Sequence, residues 1–178
     1  MKKPRFTALK ILFFLFLLNS CGFEVIYKDH NLPNSLAYQL ASIKIEKKRT
    51  QLDFELQNSL YNLLNPDKLD ITPKYLLILK TDNYASSTYI TSTGASGRNR
   101  IIIHTTYTLK NLANNQVLSS GETTASDNYD VSSNRFGTTV VEDYVKNNVL
   151  QIISTNLRNA LVNDFVQFAK KNQNHLKK

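Results

Sequence analysis

Tryptophan is missing from this chain of 178 residues, cysteine occurs once, and there are only five glycines and four prolines. One cysteine excludes an internal disulfide, so the fold must be held by its core and its hydrogen bonds. The three histidines, His30, His104 and His175, stand far apart with no second ligand at i+3 or i+4, which excludes a zinc signature. No glycine-rich phosphate cradle occurs, and Ser96 between Gly94 and Gly97 does not make a Gly-x-Ser-x-Gly elbow. Asp127 and Asp130 read as loop carboxylates, without the alternating acids of a calcium loop. The sequence therefore predicts no catalytic residue, no metal and no cofactor. A field of one sign is lacking too. The net charge is +8, yet Lys2, Lys3, Arg5 and Lys10 lie at one end and Lys170, Lys171, Lys177 and Lys178 at the other. Between Cys21 and Ala169, fourteen Lys and Arg face fourteen Asp and Glu. A neutral body excludes the global basic surface expected of a nucleic-acid binder.

What the chain does have begins at its start. The basic residues near Met1 are followed by eight unbroken apolar residues, Ile11 to Leu18, and then by Asn19, Ser20 and Cys21. A basic stretch, a short apolar run and a small residue before a cut site are the parts of a secretory signal peptide. Eight apolar residues fall well short of the ~20 that a membrane-spanning helix needs. Leu18-Asn19-Ser20-Cys21 resembles a bacterial lipobox, which implies that the Cys21 thiol receives a diacylglycerol and becomes the mature N-terminus. Gly22, and not Asp, follows it, which by analogy favours the outer membrane. Two or three acyl chains anchor stably, because each buried CH₂ contributes ~0.8 kcal/mol. The expected organisation is a signal peptide over 1–20, a lipidated extended leader over 21–35, a single domain over 36–170 and a basic tail over 171–178.

Within the domain, Ile43 and Ile45 flank Lys44 as in a short half-buried strand. Thr50 and Asp53 can cap a helix whose face is Leu52, Leu56, Leu60 and Leu63, and Asn65-Pro66 ends it. The period then changes to two. Tyr75, Leu77, Leu79 and Thr81 share a side, as do Ile101, Ile103, Thr105, Tyr107 and Leu109, with turn residues from Ser92 to Gly97 between the runs. A third strand is expected from Gln116 to Tyr129, with Ser119, Ser120, Thr123 and Thr124 facing outward and Gly121 marking a bulge. After a loop around Arg135, Phe136 and Gly137, a long helix is predicted from Thr139 to about Gln173. Its apolar stripe is Val141, Val145, Val149, Ile152, Leu157, Leu161, Phe165 and Phe168. The order β-α-β-β-β-α predicts an α+β two-layer sandwich, with two helices on one face of a four-stranded mixed sheet.

Arg98 and Arg100 flank the hairpin tip, and Arg135 sits in the loop before the last helix. Arginines bind phosphate through forked, bidentate hydrogen bonds, although the same residues can simply solubilise loops. The lipobox with Cys21-Gly22-Phe23 and Tyr27, the long hairpin with its Arg-flanked tip and the C-terminal helix together resemble the LptE family of lipopolysaccharide-assembly lipoproteins. That resemblance implies a lipid-anchored plug on the periplasmic side of the outer membrane, inside an LptD β-barrel, that assists insertion of lipopolysaccharide into the outer leaflet. It also implies lipopolysaccharide binding at Arg98 and Arg100, with Arg135 as a further basic position. The competing expectation is an anchored binding lipoprotein of another kind, of peptidoglycan-binding or secretin-pilot type.

Overall fold

The computed structural model describes residues 35–46, 50–90, 92, 94 and 96–176. The expected signal peptide, Cys21 and the expected leader as far as residue 34 lie outside the described residues. Seven elements follow in order: α1 (Leu36–Ala41), β1 (Ile43–Ile45), α2 (Gln51–Leu64), β2 (Tyr75–Ile90), β3 (Ser96–Asn111), β4 (Val117–Asp130) and α3 (Arg135–Leu176). The expected sandwich is present, with α1 as an unpredicted addition. Ser35 caps α1 by accepting the Tyr38 N–H on its Oγ at 3.2 Å.

The sheet has the order β1-β2-β3-β4. β1 runs parallel to β2, and the other pairs are antiparallel. Period-two alternation assigns one side of each strand to the helices. Ile45, Leu77 and Leu109 line up across three strands, followed by Leu79 opposite Tyr107 and Thr81 opposite Thr105. These residues, apart from the half-buried Thr81, join the buried interior along with Ile101 and Ile103. In β2 the cover ends at Thr81, and every residue from Asp82 to Ile90 is exposed. The hairpin therefore projects beyond the helical layer on its β2 side.

β4 departs from the sequence reading in three ways. It extends to Asp130, because β3 begins at Ser96 and offers pairing partners that far. Asp127, already inside the expected strand, and Asp130 are both strand residues rather than loop carboxylates. Ser119 and Thr123 face the helices, where Ser119 donates to Asp164 (2.6 Å) and Thr123 accepts from Asn156 (3.4 Å). Finally, the register shift lies at Leu118, between the Leu109–Ser119 and Lys110–Val117 pairs, while Gly121 pairs regularly with Tyr107.

α2 starts at Thr50, whose Oγ1 accepts the Asp53 N–H at 3.1 Å and donates to the Asp53 carboxylate at 2.7 Å. It buries Leu56, Leu60 and Leu64, so the last apolar step is four residues and Leu63 is only half-buried. The buried Asn65 closes the turn around Pro66, accepting the Leu69 N–H (2.9 Å) and donating to the Leu69 carbonyl (3.0 Å).

α3 is longer than expected at both ends. Asn134 accepts the N–H groups of Phe136 (3.0 Å) and Gly137 (3.4 Å), capping a helix that begins at Arg135 and runs on to Leu176, into the expected tail. Val145, Val149, Ile153, Leu157, Leu161 and Phe165 are buried. A strict step of four outruns the 3.6-residue turn by about 40° each time, so this row winds slowly around the helix. Val141 and Ile152, expected in the core, are exposed. Phe165 closes the far end edge-on to Tyr75, with ring centroids 5.0 Å apart. None of the described helices is long and apolar enough to cross a membrane.

Candidate anion site at the hairpin end

Both arginines flanking the tip lie within β3, two residues apart, and period-two geometry puts their side chains on one face, the one away from the helices. β4 supplies a partner opposite each. Arg98 pairs in register with Asp130, and its Nε donates to Asp130 Oδ1 at 2.7 Å. Arg100 pairs with Asn128, and its Nε donates to Asn128 Oδ1 at 3.0 Å. The two contacts differ in charge. The hydrogen bond and then the attraction of Asp130 raise the Arg98 pKa, and the same contact holds the Asp130 carboxyl below its ordinary value. Arg100 is held by a neutral amide, which orients the guanidinium without cancelling its charge.

On the other side of β3, a register shift between Ser87 and Tyr89 inserts Thr88 as an extra residue. Its hydroxyl donates to the Arg98 carbonyl at 3.2 Å, and Tyr89 comes opposite Arg98. Thr88, Tyr89, Gly97, Arg98, Arg100, Asn128 and Asp130 line an open hollow of about 540 Å³. Gly94 in the tip has φ +82°, a backbone region that favours glycine. The hollow holds two guanidinium groups, that of Arg98 offset by the Asp130 carboxylate and that of Arg100 held by a neutral amide, together with a hydroxyl and a tyrosine. Its net positive charge is that of Arg100, and phosphate suits the guanidinium geometry best.

Of the three arginines singled out in the sequence, the structure brings Arg98 and Arg100 together. Arg135 is the first residue of α3 rather than a loop residue, and it does not line the hollow. Sequence reasoning missed Asn128, Asp130, Thr88 and Tyr89. Asn128 already lies inside the expected strand to Tyr129, and one further residue of that strand would have brought in Asp130, while the bulge at Thr88 has no local signal. His104 stands on the sheet face away from the helices, with Nδ1 2.8 Å from Thr124 Oγ1 and Nε2 3.8 Å from Glu122.

By sequence the chain matches no family model and no curated protein. Its fold is that of several solved structures. A candidate lipoprotein from Caulobacter crescentus CB15 superposes with a TM-score of 0.61 at 13% identity, covering 73% of this chain and 95% of that one. A minor lipoprotein from Acinetobacter baumannii gives 0.51 at 12% identity, covering 68% and 89%. An uncharacterized lipoprotein B from Nitrosomonas europaea gives 0.50 at 9% identity, covering 65% and 77%. At these identities the likeness is one of fold. The class defined by fold and site is thus an α+β sandwich of the kind seen in these lipoproteins, with an arginine-lined hollow at the free end of its hairpin.

Proposed function

We propose that the chain is an outer-membrane lipoprotein, anchored through Cys21, that supports an LptD-like β-barrel and helps pass lipopolysaccharide into the outer leaflet. The observation that carries this reading is the placement of Arg98 and Arg100 side by side in a hollow at the projecting end of the hairpin. Two forked cations there suit the paired phosphates of lipid A. The neutral Asn128 partner leaves Arg100 its charge for an incoming anion. The sheet face away from the helices supports the barrel partner. Lys80, Thr106, Ser120, Glu122, Thr124 and Ser126 make it polar over most of its width, and barrel interiors are polar as well. The lipobox supplies the anchor, and the fold is shared with proteins described as lipoproteins.

The experiment is co-isolation at native expression in mild detergent. A large outer-membrane barrel should come with the protein at one-to-one stoichiometry, and recovery of free monomer alone would count against the reading. Substitution of Cys21 by Ala should abolish lipid labelling and release the protein from washed membranes.

A further inference from the structure

β1 covers only the start of the outer side of β2. It pairs with residues 75–77, and the Glu46 N–H adds one bond to the Leu77 carbonyl before the chain leaves the edge for α2. Over residues 82–86 no strand pairs with that side among the described residues, and the side chains on both faces are exposed. Natural edges are blunted by lysine, proline or bulges. Residues 81–86 hold neither lysine nor proline, and the bulge comes only at Thr88. The chain that precedes the described residues arrives on this side of the sheet. Ser35 stands one short helix, about 10 Å of rise, before Ser42. The Ser42 carbonyl accepts the N–H groups of Lys74 (2.9 Å) and Tyr75 (3.3 Å) at the head of β2. β4, the other edge, lies at the opposite side of the sheet.

We propose that residues 24–28 of the chain's own N-terminal segment, Glu-Val-Ile-Tyr-Lys, add to this edge as a strand antiparallel to β2, beside residues 82–86. Val25, Ile26 and Tyr27 are strand formers, with Phe23 before them, and the segment holds neither glycine nor proline. One register suits the side chains. With Lys28 opposite Asp82, the only charge in residues 81–90 meets its opposite. Ile26 then falls opposite Tyr84, which pairs with Ile102, and Glu24 enters the row of Ser86 and Arg100. On the helix-facing side Val25 falls opposite Ala85, whose β3 partner is the buried Ile101. A slip of two residues toward the start of β2 sets Lys28 opposite Lys80, and a slip of two the other way carries the strand onto the Thr88 bulge. A slip of one turns every side chain to the other face. The length agrees. Lys28 to Ser35 spans about 23 Å when extended, the same seven steps as Asp82 to Tyr75. Pro33 falls in that connection, where no ladder bond is needed. The strand carries Cys21 to the level of Tyr89, at the hollow. The inference rests neither on lipidation nor on the anion-site reading, since neither takes part in the ladder.

The test uses the full chain in detergent micelles. Val25→Cys combined with Ala85→Cys should oxidise to a disulfide within one chain, whereas Val25→Cys combined with Lys80→Cys or with Leu112→Cys should not. Peptide mapping identifies the linked pair and separates it from any link to Cys21. Amide exchange gives a second measurement that needs no cysteine. Among residues 82–86, the amides that point away from β3 should exchange more than tenfold faster in Ile26→Pro, because proline breaks the added ladder. Unchanged exchange between β3 and β4 shows that this variant is folded. No cross-link, equal cross-linking in all three pairs, or exchange indifferent to Ile26→Pro would overturn the proposal. A cross-link found only between two molecules would also overturn it, and would assign the edge to a second copy.

Discussion

Gly121 lies directly across the β3–β4 ladder from Tyr107, and the Tyr107 ring occupies the space a side chain at 121 would need. A Cβ built on Gly121 would stand 2.8 Å from Cε1 of that ring. The vacancy lets the phenol reach across β4 and donate to Asp164 of α3 at 3.2 Å, beside the Ser119 hydroxyl at 2.6 Å from the same oxygen. A carboxylate on the helix is thereby tied to two strands, and this fixes where α3 crosses the sheet.

Gly121→Ala should therefore push the ring off Asp164 and destabilise the protein by ~1–3 kcal/mol, the usual range for overpacking. Urea unfolding measures it. In the Tyr107→Leu background the same substitution should cost much less, because the obstructing ring is gone.

The phenol also sets an alkaline response. Burial, then the nearby Asp164 charge and hydrogen bond, raise the Tyr107 pKa above its ordinary 10.0. A raised folded-state pKa contributes stability that is fully present below pH 10 and is lost as pH climbs toward the folded value. Burial raises Tyr75 in the same sense. Unfolding free energy should fall above pH 10, and Tyr107→Phe should make that fall shallower while leaving the part due to Tyr75.

The winding core row of α3 gives a second pair of outcomes. Ile153 is fully buried and Ile152 is 46% exposed. Ile153→Ala should cost ~2–5 kcal/mol. Ile152→Ala should stay within about 0.5 kcal/mol, as surface changes usually do. Equal losses at the two positions would mean that the helix sits in a different rotation.

These neighbours show where the sequence was legible. Strict alternation over Ile101–Leu109 assigned the buried side of β3 residue by residue, because a strand has only two faces. Stepping along α3 left Ile152 and Ile153 equally apolar, and only the oblique crossing of helix and sheet separates them. The cap at Thr50 was readable because a cap is a local hydrogen bond. α1 was not, since six residues carry too little periodicity. Arg98 and Arg100 stood out by their place beside the tip. Their partners Asp130 and Asn128 are about thirty residues away, joined to them by a register that only the folded sheet defines.

The most direct test of the account is equilibrium binding of lipid A to the lipidated protein in detergent, compared with the double variant Arg98→Ala, Arg100→Ala. Losing one charge-assisted partner costs ~1.5–3 kcal/mol, so losing both should weaken binding by well over tenfold. Neither side chain enters the core, so the thermal transition and barrel association should be unchanged. Binding as tight as the parent's would contradict the account and leave the two arginines as solubilising residues of an exposed hairpin.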